Sequence, residues 1–168
     1  MMRRVMMLAG LVVAGFLFVA ATGAHAAAMT EKEKAQKEPF PNDLGPDAID
    51  VSKYPADMQA KYKTFASQCN QCHVINRPIN SQIYDDAGWK RYVKRMMTKP
   101  GCTITKGKDI YLFLAFDSAE RKIKHKAEWK AHRVDLLTQF KAKYPDRYKL
   151  LFEDRSPEAE AKKELPGW

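Results

Sequence analysis

No stretch of the sequence alternates apolar and polar residues as a half-buried strand would, and no segment repeats itself. These absences exclude sheet and repeat architectures and leave an all-α fold as the reading. Cysteine is scarce, at three residues, Cys69, Cys72 and Cys102. An odd number cannot simply be paired off, so at least one of them has another use. Acidic residues are outnumbered, 20 against 29 Lys and Arg, for a formal charge of +9. The basic residues are interleaved with acids rather than gathered in one block, which fits a solvated face, and no nucleic-acid partner is expected. Long apolar runs are missing after the first two dozen residues, so a membrane-crossing segment would have to lie at the start.

That start has the three parts of a secretory leader: Arg3-Arg4, an apolar run over residues 5–21, and the small-residue site Ala24-His25-Ala26. Cleavage after Ala26 is expected, which places the mature protein in the periplasm or another extracytoplasmic space. The alternative is a retained anchor, and only then would a membrane be a partner. The leader carries two basic residues and no acid, so the mature chain remains basic. A positive field of this kind speeds encounter with acidic partner proteins more than it tightens the complex.

Residues 27–53 are polar and broken by Pro39, Pro41 and Pro46, which predicts a flexible or irregular lead-in. Pro55 then opens a helical pattern in Met58, Tyr62, Phe65 and Ala66 that runs into Cys69. Residues 74–86 read as a loop ending in a helix cap. A helix over residues 87–97 follows, with Trp89, Val93, Met96 and Met97 on one face, stopped by Lys99-Pro100-Gly101. Thr105 is placed to cap an apolar helix containing Ile110, Phe113 and Leu114. Residues 117–143 continue as a charged helix that ends at Tyr144-Pro145-Asp146. The tail from residue 154 is predicted to be a weakly held helix or disordered.

Cys69-Asn70-Gln71-Cys72-His73 carries the chemistry. C-x-x-C-H is the attachment signature of c-type haem: two thiols one helical turn apart add to the two vinyl groups, and the adjacent imidazole reaches the iron. Two other uses of C-x-x-C compete. A thioredoxin-like dithiol needs a βαβ context that this helical chain lacks, and a zinc site needs further ligands, for which only Cys102, His125 and His132 are on offer.

With these residues in place, the stretch 54–116 resembles the class I cytochromes c. The likeness rests on a helix ending in C-x-x-C-H, the Trp89-to-Met96 stretch after a loop, and the apolar helix with Tyr111-Leu112. The Met96-to-Gly101 stretch with Ile110 to Leu114 is also similar to monohaem cytochromes of bacterial anaerobic and photosynthetic electron-transfer chains. The resemblance implies a cytochrome c-like helical fold around one covalently bound haem c, with Cys69 and Cys72 attached and His73 as proximal ligand. The charged helical extension and tail, residues 117–168, depart from the minimal family, so the resemblance does not cover them, and truncation after Phe116 is expected to leave the haem attached.

For the other face of the iron, thioether sulfur is the expected ligand, because it favours reduced iron and raises the potential. Met96 is taken as the distal ligand, with Met97 as the alternative, and the other of the pair is ordinary core filler. His125 or His132 would instead give a bis-histidine haem, against the plainer reading of exposed histidines on a charged helix. The proximal imidazole is expected to donate its second N–H to a carbonyl near Arg77-Pro78. Cys102 is either a small buried residue or an exposed thiol. Together these features predict a monomeric single-electron carrier that is not an enzyme. The alternative is an open or bis-histidine haem protein serving as an enzyme subunit or a gas-binding or sensing module.

Overall fold

A computed structural model describes residues 38–70 and 73–164. The described residues form helices and turns and no strand. Helix α1 spans Ala56–Cys69, α2 Asn76–Ile79, α3 Asp86–Met97 and α4 Gly107–Asp117. A π-helical stretch, Ser118–Ile123, follows α4 directly. Helices α5 (Lys126–Lys143), α6 (Pro145–Phe152) and α7 (Pro157–Glu164) complete the chain. The leader and its cleavage site lie outside the described residues. Among those described, no helix is long and apolar enough to cross a membrane.

Local chemistry explains most of the boundaries. Pro55 precedes α1 and accepts from the amides of Met58 and Gln59. Asp85 caps α3 by accepting from Gly88 N at 2.7 Å, the loop-to-cap transition expected from the two aspartates. Lys99, Pro100, Gly101 and Cys102 then form a turn closed by Cys102 N donating to Lys99 O. Gly101 sits at φ 75°, where a side chain would be strained. At α4 the expectation is corrected. Thr105 provides no side-chain cap; Gln68 of α1 does, its Oε1 accepting from the amides of Thr105 and Lys106. A glutamine 37 positions away thus fills the role assigned to a neighbour, because α1 and α4 lie side by side.

The first core joins α1, α3 and α4. Phe65, Trp89, Val93, Ile110, Phe113 and Leu114 are buried in it. The rings of Tyr62 and Phe65 sit 5.2 and 5.5 Å from Phe113, so an aromatic seam binds α1 to α4. Burying each such side chain contributes about 1.5–3 kcal/mol. The second core is built by α5, α6 and α7 from Leu137, Phe140, Tyr148 and Ala161, with Leu44 of the lead-in packed against it.

Two segments are more ordered than the sequence suggests. Residues 38–53 are not a loose arm: Pro41–Leu44 forms a 3-10 turn, Pro41 and Ile49 are buried, and Asp43 pairs with Arg77. The tail is likewise held over Pro157–Glu164. Glu160 and Ala161 are buried there, and Glu164 receives a bidentate pair from Arg133 at 2.7 Å. Opposite charges buried with good geometry replace the apolar face that α7 lacks.

Candidate haem cleft

Residue 69 ends α1 and brings Cys69 to the wall of a small cavity that His73, Tyr92, Met96 and Cys102 also line. An adjoining, larger open cleft shares His73, Tyr92, Met96 and Lys99 with it. Its further wall is formed by Phe40, Arg77, Arg95 and the loop residues Ser81, Gln82 and Ile83. Cys72 lies outside the described residues. His73 Nδ1 lies 3.0 Å from Val74 O, so that nitrogen donates to the backbone and Nε2 keeps its lone pair for a metal. The carbonyl expected near Arg77-Pro78 is therefore supplied by Val74 instead.

Adjacent methionines part company here. Met96 lines both cavities with His73, whereas Met97 is 43% exposed and lines a different groove, with Val93, Gly107 and Tyr111. Gly107 is part of this arrangement, since a Cβ there would lie 2.5 Å from Met97 Sδ. The 100° step of an α-helix separates side chains that the sequence alone leaves on one broad face.

Tyr92 carries the least expected feature of the cleft. Its hydroxyl is buried and has no hydrogen-bond partner among the described residues. Burial, and then the nearby Cys69, push the phenol above its usual range, so it stays protonated as a donor. A buried donor left unmade costs about 1–3 kcal/mol, which favours a ligand that brings an acceptor. Arg95 stacks over the Tyr92 ring at 5.6 Å, and Arg77 is held by Asp43 at 2.5 and 2.8 Å. The cleft wall is thus apolar at its sulfur- and imidazole-bearing end and basic along its open side. Thiol, imidazole and thioether converging on one cavity, with an unpaired donor beside basic side chains, suit a flat macrocycle with an anionic edge and a soft metal.

His125 and His132 lie elsewhere. Both line a separate, shallow surface groove with Trp129 and Arg121, and neither lines the His73 cleft. His132 is half-buried rather than exposed. Burial, then Arg133 and Arg121, lower its pKa, and Nε2 lies 3.0 Å from Asn80 Oδ1. A neutral ring donating through Nε2 satisfies both. Among the described residues, which leave out Cys72, no three His, Cys, Asp or Glu side chains gather to hold a metal ion. Cys102 is a half-buried free thiol on the cleft wall.

Sequence reading missed Tyr92, Asn80, Lys122 and Arg133. Asn80 is fully buried: Nδ2 donates to Pro46 O and Asn76 O at 2.9 Å, while Oδ1 faces His132. Its bulk excludes any side chain at Gly45, where a Cβ would collide with the Asn80 amide. Lys122 and Arg133 sit in charged runs that read as solvated, and no local signal marks them as buried. No protein-family model, no curated protein and no solved structure matches the chain.

Proposed function

We propose that this protein is an exported single-electron carrier of one haem c, which Cys69 and Cys72 would attach and whose iron His73 and Met96 would ligate. The observation that supports this reading best is the convergence of Cys69, His73 and Met96 on one cavity, beside a buried Tyr92 hydroxyl that has no partner among the described residues. The bound group would supply a reversible one-electron couple. The contact of His73 Nδ1 with Val74 O would orient the ring so that Nε2 could ligate the iron. The Met96 thioether favours reduced iron, and the apolar walls formed by Ile104 and Pro78 exclude water. Tyr92, Arg77 and Arg95 are the groups suited to hold an anionic edge. On this reading the basic surface meets acidic redox partners, and no substrate is transformed.

Expression of the full chain with a haem-maturation system tests the proposal. Haem that stays with the polypeptide on a denaturing gel, and is lost in Cys69→Ala and Cys72→Ala, is the expected result. Wild-type protein without covalent haem would overturn the reading. Rapid carbon monoxide binding by the reduced holoprotein would replace it with an open-site haem protein.

A further inference from the structure

Charges of both signs are interleaved along most of the chain, but residues 87–108 break that pattern. Seven Lys and Arg fall there, and no Asp or Glu. The stretch holds α3 after its first residue, the turn that follows, and the start of α4. Its Arg95 and Lys99 line the open cleft. Lys90, Lys94 and Lys108 instead rim a second groove, between α3 and α4, whose floor is Val93, Met97 and Tyr111.

Helix packing builds this groove. Val93 is buried, and Gly107 lets the start of α4 come close: a Cβ there would meet Met97 Sδ at 2.5 Å and Val93 Cγ1 at 3.3 Å. Met97 therefore lies in the seam between the two helices, yet 43% of it stays open to solvent. A thioether held in this way is an apolar contact that adapts in shape. Tyr111 is half-buried beside it, with Lys90 Nζ 5.1 Å from its ring centroid. Lys90 is paired with Asp86 at 2.7 Å, so its charge is largely matched. Lys94 and Lys108 are exposed and make no ion pair among the described residues. An apolar centre within a rim of unmatched cations is the anatomy of a protein interface, in which the rim steers and the centre holds.

We propose that the groove between α3 and α4 is the docking site of an acidic partner protein, which seats one apolar side chain on Met97 and Tyr111 between Lys94 and Lys108. Charge complementarity selects this occupant, and a second copy of the chain, itself net basic, would be repelled. A concave floor with one exposed thioether fits a protruding side chain rather than the plane of a lipid surface. Met96 lines the cleft and Met97 the groove, so a partner seated here lies against the helix that walls the cleft. That this partner is a redox protein rests on the electron-carrier reading above; the preference of the groove for an acidic protein does not.

Calorimetric titration and amide NMR shifts of the full-length holoprotein test this, with a short synthetic peptide of glutamates flanking one leucine as the probe. An ionic strength of about 0.1 M screens charges beyond about 10 Å, so shifts are expected to concentrate in α3 and the start of α4. Lys94→Glu with Lys108→Glu should weaken binding about tenfold or more, because each change turns an attraction into a repulsion. Lys124→Glu with Lys130→Glu changes the net charge equally at exposed positions elsewhere and should leave the affinity close to wild type. Met97→Ala should weaken the leucine peptide about threefold, through lost apolar contact, and leave unchanged a peptide with serine in its place. Shifts spread evenly over the basic surface, equal losses in the two reversal pairs, or a Met97→Ala effect that does not distinguish the peptides would overturn the docking site and leave the electron-carrier reading standing. Binding to phosphatidylglycerol vesicles that Lys94→Glu with Lys108→Glu removes, without binding of either peptide, would assign the face to lipid and overturn it as well. Wild type without covalent haem would overturn the electron-carrier reading alone, because the titration reads the groove without electron transfer.

Discussion

Replacing Arg133 by Met removes one of the residues that tie α5 and α7 to the loop after α2 and to the lead-in. The side chain is 2% exposed, and its guanidinium makes two bonds to Glu164 at 2.7 Å, one to Asn42 Oδ1 at 2.7 Å and one to Asn80 O at 2.9 Å. The variant keeps most of the apolar volume, so the loss is chiefly electrostatic. Glu164, itself only 8% exposed, is left as a buried carboxylate without its partner. Breaking a buried pair in this way costs about 3–5 kcal/mol. For a domain of this size each kcal/mol moves Tm by about 2–4 °C, so a fall of roughly 6–20 °C is expected. Thermal unfolding followed by circular dichroism measures it. The companion variant Arg133→Met with Glu164→Leu removes both charges and should recover most of the loss, since apolar replacement of a buried pair is often neutral or stabilising. A single variant within about 2 °C of wild type would refute the idea that Arg133 is a buried tie. A double variant no better than the single would refute its electrostatic origin.

Four further outcomes are expected. Met96→Ala should abolish the weak near-infrared band of methionine-ligated ferric haem, and Met97→Ala should leave it; the reverse would reassign the ligand. Truncation after Phe116 should give a chain with no cooperative unfolding transition, because it strips Ser118 from the buried Trp89 Nε1 and Lys122 from two carbonyls; a folded, haem-loaded fragment would show the extension to be separable after all. Gln68→Ala should cost about 1 kcal/mol in chemical denaturation by uncapping α4. His132 has a folded pKa below its usual 6.5, so the unfolded chain binds more protons there. Its contribution to stability is present above pH 6.5 and is lost as pH falls toward the folded value. His132→Gln should flatten that part of the stability profile in urea melts at a series of pH values.

Burial beyond residue 116 shows what local reasoning does not reach. Residues 117–143 look like a solvated helix because Lys, Arg and Glu alternate through them. Whether a lysine is solvated depends on what faces it, and the loop facing Lys122 is some 40 positions away in sequence. The lead-in misleads for the same reason. Its prolines break helices, yet Pro41 and Ile49 are buried against partners that sequence proximity does not show. In the tail, Glu160 and Glu164 read as surface charges until Arg155 and Arg133 meet them.

Sequence by itself determined the helical class, the C-x-x-C-H signature at the end of α1, the Asp85 cap and the Pro100-Gly101 stop. Each depends on residues within one or two turns of one another, where backbone geometry and side-chain chemistry act locally. Only the tertiary structure separated Met96 from Met97, gave the cap of α4 to Gln68, and turned Arg121, Lys122 and Arg133 inward onto one loop. Those outcomes are decided by packing, in which a side chain's role is set by whichever distant backbone the fold lays against it.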